Sequence, residues 1–216
     1  MGKFFSFDSK IAQFLSRIWD LLLLNLLFLL GSLPVVTVGV SAIAAYTVMH
    51  KMVEDRDDGI LLVYWRAFRD NLRQGLVLSI AWILAAAAVA VYFLLFESIE
   101  GNPIVFAILG MVSALLVLVH FFYIFALAAR YEGSLFRHMT NSRSIFFRFY
   151  GRSLLCTLLV VFEVWLFFFN GWLLLFIGVF LAPVLIIATK SAFAMKIFRV
   201  IEAENGREGM QKHLRQ

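Results

Sequence analysis

The sequence predicts an all-α, polytopic helical membrane protein with six transmembrane helices and both termini in the cytoplasm. Three observations lead there. The 216 residues are 62% hydrophobic and only 15% charged, with a mean hydropathy of +0.90, whereas a soluble domain is about 45–50% apolar and about 25% charged. The apolar residues lie in unbroken runs: residues 21–50, 74–96 and 101–129 hold no formal charge, and 153–189 hold only Glu163. The 19 Lys and Arg residues fall into four groups, Lys3 to Arg17, Lys51 to Arg73, Arg130 to Arg152 and Lys190 to Arg215. Loops rich in these residues stay on the cytoplasmic side of a membrane, and a helix crosses the hydrocarbon with roughly 20 residues.

Taken in order, residues 1–17 place Phe4, Phe7, Ile11 and Phe14 on one helical face, with Lys3, Lys10 and Arg17 available to headgroups. That pattern predicts an interfacial amphipathic helix. The run 21–50 is too long for one upright helix, and Pro34 and Gly39 fall near its middle. Proline removes a backbone donor and disfavours helix before it, so we expect a hinge there joining spans at about 18–33 and 35–52. One kinked helix, giving five spans and an external amino terminus, is the competing reading. It would leave three basic residues outside. Further spans are expected at about 74–96, 103–129, 153–169 and 172–190, with Pro183 as a hinge in the last and 191–216 as a cytoplasmic tail. The short turns at 97–102 and 170–171 carry acidic residues or none, as outer turns do, and Trp172 beside Phe167, Phe168 and Phe169 suits the outer interface. A weak repeat is visible too: Phe68-Arg69 with Arg73, then Phe147-Arg148 with Arg152, each stand just before a span.

Composition also sets aside several functions. The formal charge of +5 lies beside apolar spans, where orientation and anionic lipids account for it, so no nucleic-acid partner is expected. The single Cys156 allows no internal disulfide. Met1-Gly2-Lys3-Phe4-Phe5-Ser6 fits the loose myristoylation pattern, but the chain has stronger anchors. The run from Leu21 resembles a signal-peptide core, yet the basic region before it is long and the small residues Ala42-Ile43-Ala44 lie far from that core, so a retained helix is expected. There is no nucleotide loop, no histidine pair at metal spacing and no nucleophile elbow. No catalytic residue, cofactor or metal is assigned, and the chain is not expected to be an enzyme.

The candidate polar site lies inside the spans. Glu163 stands about eleven residues beyond Arg152, and an intramembrane carboxylate normally faces a protein interior or a water-filled cavity. His120 is its candidate partner, either as a proton-linked pair or as an interhelical hydrogen bond. Asn25 is expected to bond a neighbouring helix. Asp20, three residues after Arg17, suits a local ion pair. The first cytoplasmic loop adds Glu54, Asp55, Asp57 and Asp58, with Asp58 as a helix cap. Together with Trp65, Phe68, Arg69, Arg73, Arg148 and Arg152, these form a candidate surface for a partner or for the membrane interface.

Asn25, Leu33-Pro34-Val35-Val36-Thr37-Val38-Gly39, Ala44-Ala45-Tyr46 and the run Trp65-Arg66-Ala67-Phe68-Arg69-Asp70-Asn71-Leu72-Arg73-Gln74-Gly75 resemble the YesL family of bacterial membrane proteins of unknown function. Arg69 stands where that motif is expected to hold lysine. Over the second half only the hydropathy pattern and Pro183 carry the likeness. Members typically accompany carbohydrate-utilisation genes and sugar ABC-transporter components. The resemblance therefore implies a multi-pass protein of the bacterial plasma membrane, an accessory or assembly subunit with ABC-transporter subunits and membrane lipids as partners. An autonomous small-solute or proton-linked transporter with a path near Glu163 is the alternative. An intramembrane enzyme would need a second carboxylate or nucleophile facing Glu163. The oligomeric state is not legible.

Overall fold

In the computed structural model the backbone is described for residues 2–54, 59–98 and 104–214, and side chains for 15–54, 59–96 and 104–204. Among the described residues the chain is helical throughout, without strands: α1 (Gly2–Gly31), α2 (Val38–Val53), α3 (Ile60–Asp70), α4 (Leu72–Ser98), α5 (Ile104–Phe121), α6 (Ile124–Ala128), α7 (Leu135–Arg148), α8 (Tyr150–Phe169) and α9 (Trp172–Leu214). Five stretches among the described residues, Val35–Val53, Leu72–Phe96, Ile104–Ala128, Tyr150–Phe169 and Trp172–Glu204, are long and apolar enough to cross a membrane. Four of them turn most of their surface outward, with only 11–22% enclosed, whereas 56% of Val35–Val53 is enclosed by protein. Leu84, Leu115, Phe162 and Phe176 stand exposed on those outer faces, a surface suited to lipid rather than water. The chain is a helical membrane protein built around α2.

The region 21–50 forms a hairpin, not one kinked helix. Arg17 donates to the Met52 carbonyl at 3.3 Å and Ser41 to the Phe28 carbonyl at 2.8 Å, so the two arms run antiparallel. Pro34 precedes a short 3₁₀ turn, Val35–Thr37, which Thr37 closes, its hydroxyl sharing one hydrogen between the carbonyls of Gly31 and Pro34, both at 2.7 Å. The amino-terminal stretch and the first apolar segment are one continuous helix, α1, rather than two elements. The expected apolar face at Phe4, Phe7, Ile11 and Phe14 lies outside the described side chains.

Gly39 is not a hinge. It stands in the first turn of α2, where its N–H, one of the donors that a helix start leaves unpaired, donates to Ser79 Oγ of α4 at 2.7 Å. A Cβ on Gly39 would come within 2.9 Å of Phe125, and one on Gly75 would sit 2.7 Å from the Val40 Cα. The two glycines let the α2 and α4 backbones nearly touch. Small residues permit such close crossings between membrane helices.

The expected fourth span is interrupted at Phe122 and Tyr123, between α5 and α6, with no proline or glycine to break it. Ser142 of α7 explains the interruption. Its hydroxyl accepts from the Tyr123 N–H at 3.1 Å and donates to the Val119 carbonyl at 3.3 Å. A side chain has been inserted into one rung of the helical ladder, a recognised cause of sharp bends. The expected tail is helical as well, since α9 continues unbroken to Leu214. Two amphipathic helices precede hairpins in the same way: α3 leads through Asn71 into α4 and α5, and α7 leads through Phe149 into α8 and α9. The junctions carry equivalent backbone bonds, Gly75 N–H to Asn71 O at 2.7 Å and Ser153 N–H to Phe149 O at 2.9 Å.

Gly75→Ala should force α4 away from α2, because the added carbon meets backbone that has no rotamer to change. A loss of about 1–3 kcal/mol is expected, seen as a lowered melting temperature in detergent. A matched change at the unobstructed Gly151 should cost far less.

Candidate functional site

The three polar residues expected to share an intramembrane site are held apart. Asn25 reaches from α1 to α9, where its side-chain amide donates to the Phe180 carbonyl and its oxygen accepts from the Val184 N–H at 3.2 Å. Those two groups lie one helical rung apart, across Pro183, which has no N–H to give. The carboxamide thus bridges the backbone where α9 carries its proline, and the Pro183 site is tied to α1. His120 donates through Nδ1 to the Leu116 carbonyl of its own helix at 2.8 Å. Glu163 accepts at Oε1 from Thr189 at 2.5 Å, while Oε2 is buried without a hydrogen-bond partner. The expected Glu163–His120 pair does not form. Depth in a span is legible from spacing, but the direction a side chain faces depends on helix rotation.

At the end of the bundle that carries the basic segments, a recess of about 780 Å³ opens between α2, α3, the start of α4 and the strap after α6. Small-molecule sites commonly occupy about 300–1,000 Å³. Lys51 and Thr47 come from α2, Arg66 and Asp70 from α3, Asn71 and Gln74 from the α3–α4 junction, and Arg130 to Glu132 from the strap. Amphipathic α3 is set against the hairpin by Tyr64. Ser41 uses its one hydrogen on Phe28, so the Tyr64 hydroxyl is the donor across 2.6 Å. Burial pushes that phenol up to about 12.

One wall of the recess is an ion-pair clamp that the sequence did not announce. Arg130 forms a fork with Glu202 of α9, Nε to Oε1 at 2.8 Å and Nη2 to Oε2 at 3.0 Å, and its Nη1 donates to Glu54 at 2.9 Å. Tyr131 donates to Glu202 at 2.5 Å. The Glu202 and Glu54 hydrogen bonds raise the Arg130 pKa above its ordinary value, and burial, then the Glu202 bond, push Tyr131 up to about 12. The pairs span 72 and 76 positions, which no local pattern reveals.

Of the acidic knot, Glu54 is in this clamp, while Asp55, Asp57 and Asp58, with the expected Asp58 cap, lie outside the described residues. Gly59, at φ +74°, precedes α3. Trp65 stacks on Phe68 with ring centroids 5.8 Å apart, and the Arg69 guanidinium lies 5.1 Å over Trp65. Arg73 is exposed. Arg148 pairs with Glu204 at 2.6 Å and lies 5.5 Å from the Phe149 ring, with Arg152 at 6.0 Å. Among the described residues no group of three His, Cys, Asp or Glu side chains could hold a metal ion. The recess offers charges of both signs and amide groups, an arrangement for recognition by hydrogen bonds and ion pairs.

Gln74 ties the recess to α7. Its Nε2 donates to the Gly133 carbonyl at 3.2 Å and to His138 Nε2 at 2.6 Å. The amide nitrogen has no lone pair to offer, so His138 accepts and is neutral, with its proton on Nδ1.

Two outcomes follow. Asn25→Leu leaves the Phe180 and Val184 groups without their bridge, so a loss of about 0.6–2 kcal/mol is expected, read by unfolding in detergent or bicelles. The second outcome concerns pH. Burial lowers the His138 pKa below its ordinary 6.5, with Arg137 adding to the effect and a Gly133 hydrogen bond opposing it. The neutral ring is therefore favoured by folding. The stability it gives is present above about 6.5 and is lost as pH falls through the lower folded value. Melting between pH 7.5 and 5 should show that decline, and His138→Asn should lessen it.

Residues 21–95 match a family described as "Protein of unknown function, DUF624". The matched stretch contains the α1–α2 hairpin, α3 and most of α4, the elements that frame one side of the recess. No curated protein and no solved structure matches the chain.

Proposed function

We propose that the chain is an accessory or assembly subunit of a carbohydrate uptake system in the bacterial plasma membrane, a YesL-type protein that holds a transporter component at its cytoplasmic face. The recess carries this reading: it is polar, open and mounted at the basic end on helices fixed by buried contacts, while within the spans Asn25 and His120 are taken up by backbone groups. Arg66 and Asp70, exposed on α3 at its edge, offer a partner one charge of each sign.

Affinity purification of the tagged chain from native membranes should recover a membrane-spanning or ATP-hydrolysing subunit of a sugar importer. Exchange of the two charges, Arg66→Glu with Asp70→Lys, should reduce that recovery about tenfold, as loss of about 1.4 kcal/mol would. Glu163→Gln should leave it unchanged. Recovery of the chain with no importer component sinks the proposal.

The buried, unpaired Oε2 of Glu163 supports a second reading, an autonomous proton-linked transporter. Uptake by the purified chain in liposomes, abolished by Glu163→Gln, would favour that reading over the first.

A further inference from the structure

We propose that the cleft between the α4–α5 and α8–α9 hairpins binds an anionic phospholipid, with an acyl chain along the cleft and the headgroup phosphate on Lys190. The cleft holds about 410 Å³ and its walls are apolar, among them Trp82 and Ala86 of α4, Leu118 of α5, Val160 of α8 and Ile186 of α9. One cation enters it. The Lys190 ammonium sits 4.6 Å from the centroid of the Phe122 ring. Among the described residues no carboxylate forms an ion pair with it, and Glu163, on the adjoining helix, takes Thr189 instead.

An ammonium drawn into apolar surroundings needs a counter-charge. A ring face supplies only part of it. The position of Lys190 states where that charge must come from. Phe122 packs edge-on against Phe146 of α7 at 5.6 Å, so the ammonium lies at the end of the cleft beside the basic helix. Headgroups belong at that level and acyl chains along the walls above it. A zwitterionic lipid brings no net charge to Lys190, and a free phosphate brings nothing to cover the walls. An anionic phospholipid meets both requirements, and its leaflet attracts juxtamembrane Lys and Arg.

The full chain is purified in detergent, exposed to equal amounts of phosphatidylglycerol and phosphatidylcholine, and weighed by native mass spectrometry. Phosphatidylglycerol should be retained about fivefold over phosphatidylcholine, the factor expected of one lysine acting on an anionic headgroup. Lys190→Gln should abolish the preference and Lys190→Arg should keep it. Ala86→Phe, which fills the cleft and leaves the cation, should lower retention of both lipids. Size exclusion and circular dichroism check folding, and if Lys190→Gln does not fold, Lys190→Arg and Ala86→Phe decide. An undiminished preference in Lys190→Gln overturns the proposal. So does an equal loss in Arg143→Gln on the exposed face of α7, which would mark surface charge alone, or displacement of the lipid by inorganic phosphate.

Discussion

A helix surrounded by hydrocarbon has no water to complete its hydrogen bonds, so each bend must find a polar group from elsewhere in the protein, an orphaned one costing several kcal/mol. This chain carries Pro183 inside α9 and interrupts the helix after α5 at Phe122, and at both places a side chain from another helix takes up two backbone groups one rung apart. Asn25 does so at Phe180 and Val184; Ser142 does so at Val119 and Tyr123. Ser79 completes the set by accepting from the Gly39 N–H at the start of α2. Each insertion fixes a rotation and a depth, because a short side chain reaches a carbonyl and an N–H together from one position only. The bundle's geometry follows from these three contacts. Asn25 in particular couples the amino-terminal hairpin to a helix more than 150 residues later.

Those contacts also determine what is left for function. Asn25 and the Ser41–Tyr64 pair are engaged in joining helices, and His120 is held by the Leu116 carbonyl of its own helix. Apart from groups such as Glu163 Oε2 and the His50 ring, buried without a hydrogen-bond partner, the spans therefore hold apolar surface and structural hydrogen bonds, and the charged groups collect at the basic end. There the recess is rigid on one side, where Tyr64 anchors α3 and Gln74 anchors the strap, and open on the other. A rigid polar surface keeps the entropic cost of binding low. Placing recognition at that end and lipid contact in the lateral cleft uses each environment for the interaction it strengthens.

The long apolar helices and their order could be read from charge gaps because hydrocarbon excludes charge so strongly. The hairpin could be read from Pro34 and from the basic residues on both sides of it. Asn25 could be read as a bond between helices, since an amide in a span has few other uses. The break at Phe122 could not, because its cause is a serine on another helix and the local residues are ordinary helix formers. Gly39 was misread for a related reason: a glycine at a turn and a glycine at a crossing look alike until the partner, Gly75, is known. Glu163 and His120 have suitable depths, but the sequence carries no information on whether two faces turn toward each other. Arg130 was legible as one basic residue among several, and only the approach of α9 shows it as the centre of a clamp.

The uneven distribution of acid along the chain has its explanation in that approach. The basic segment from Lys51 to Arg73 holds five acidic residues, and the next, from Arg130 to Arg152, holds Glu132 alone. In three dimensions the shortfall is made up from outside. Glu54 crosses from the end of α2 to Arg130, Glu202 forks the same guanidinium, and Glu204 takes Arg148. The last of these is exposed, and such pairs contribute about 0–1 kcal/mol. The Arg130 cluster is different, because Arg130 and Glu54 are mostly covered, although Glu202 is as open as Glu204, and a planar fork is matched by a carboxylate. Glu202 reaches it only because α9 continues as a helix past the apolar stretch. A helix of about 20 residues would cross the bilayer and stop short of the strap. The length of α9 thus closes the basic end of the bundle, and the strap that it holds is a wall of the recess.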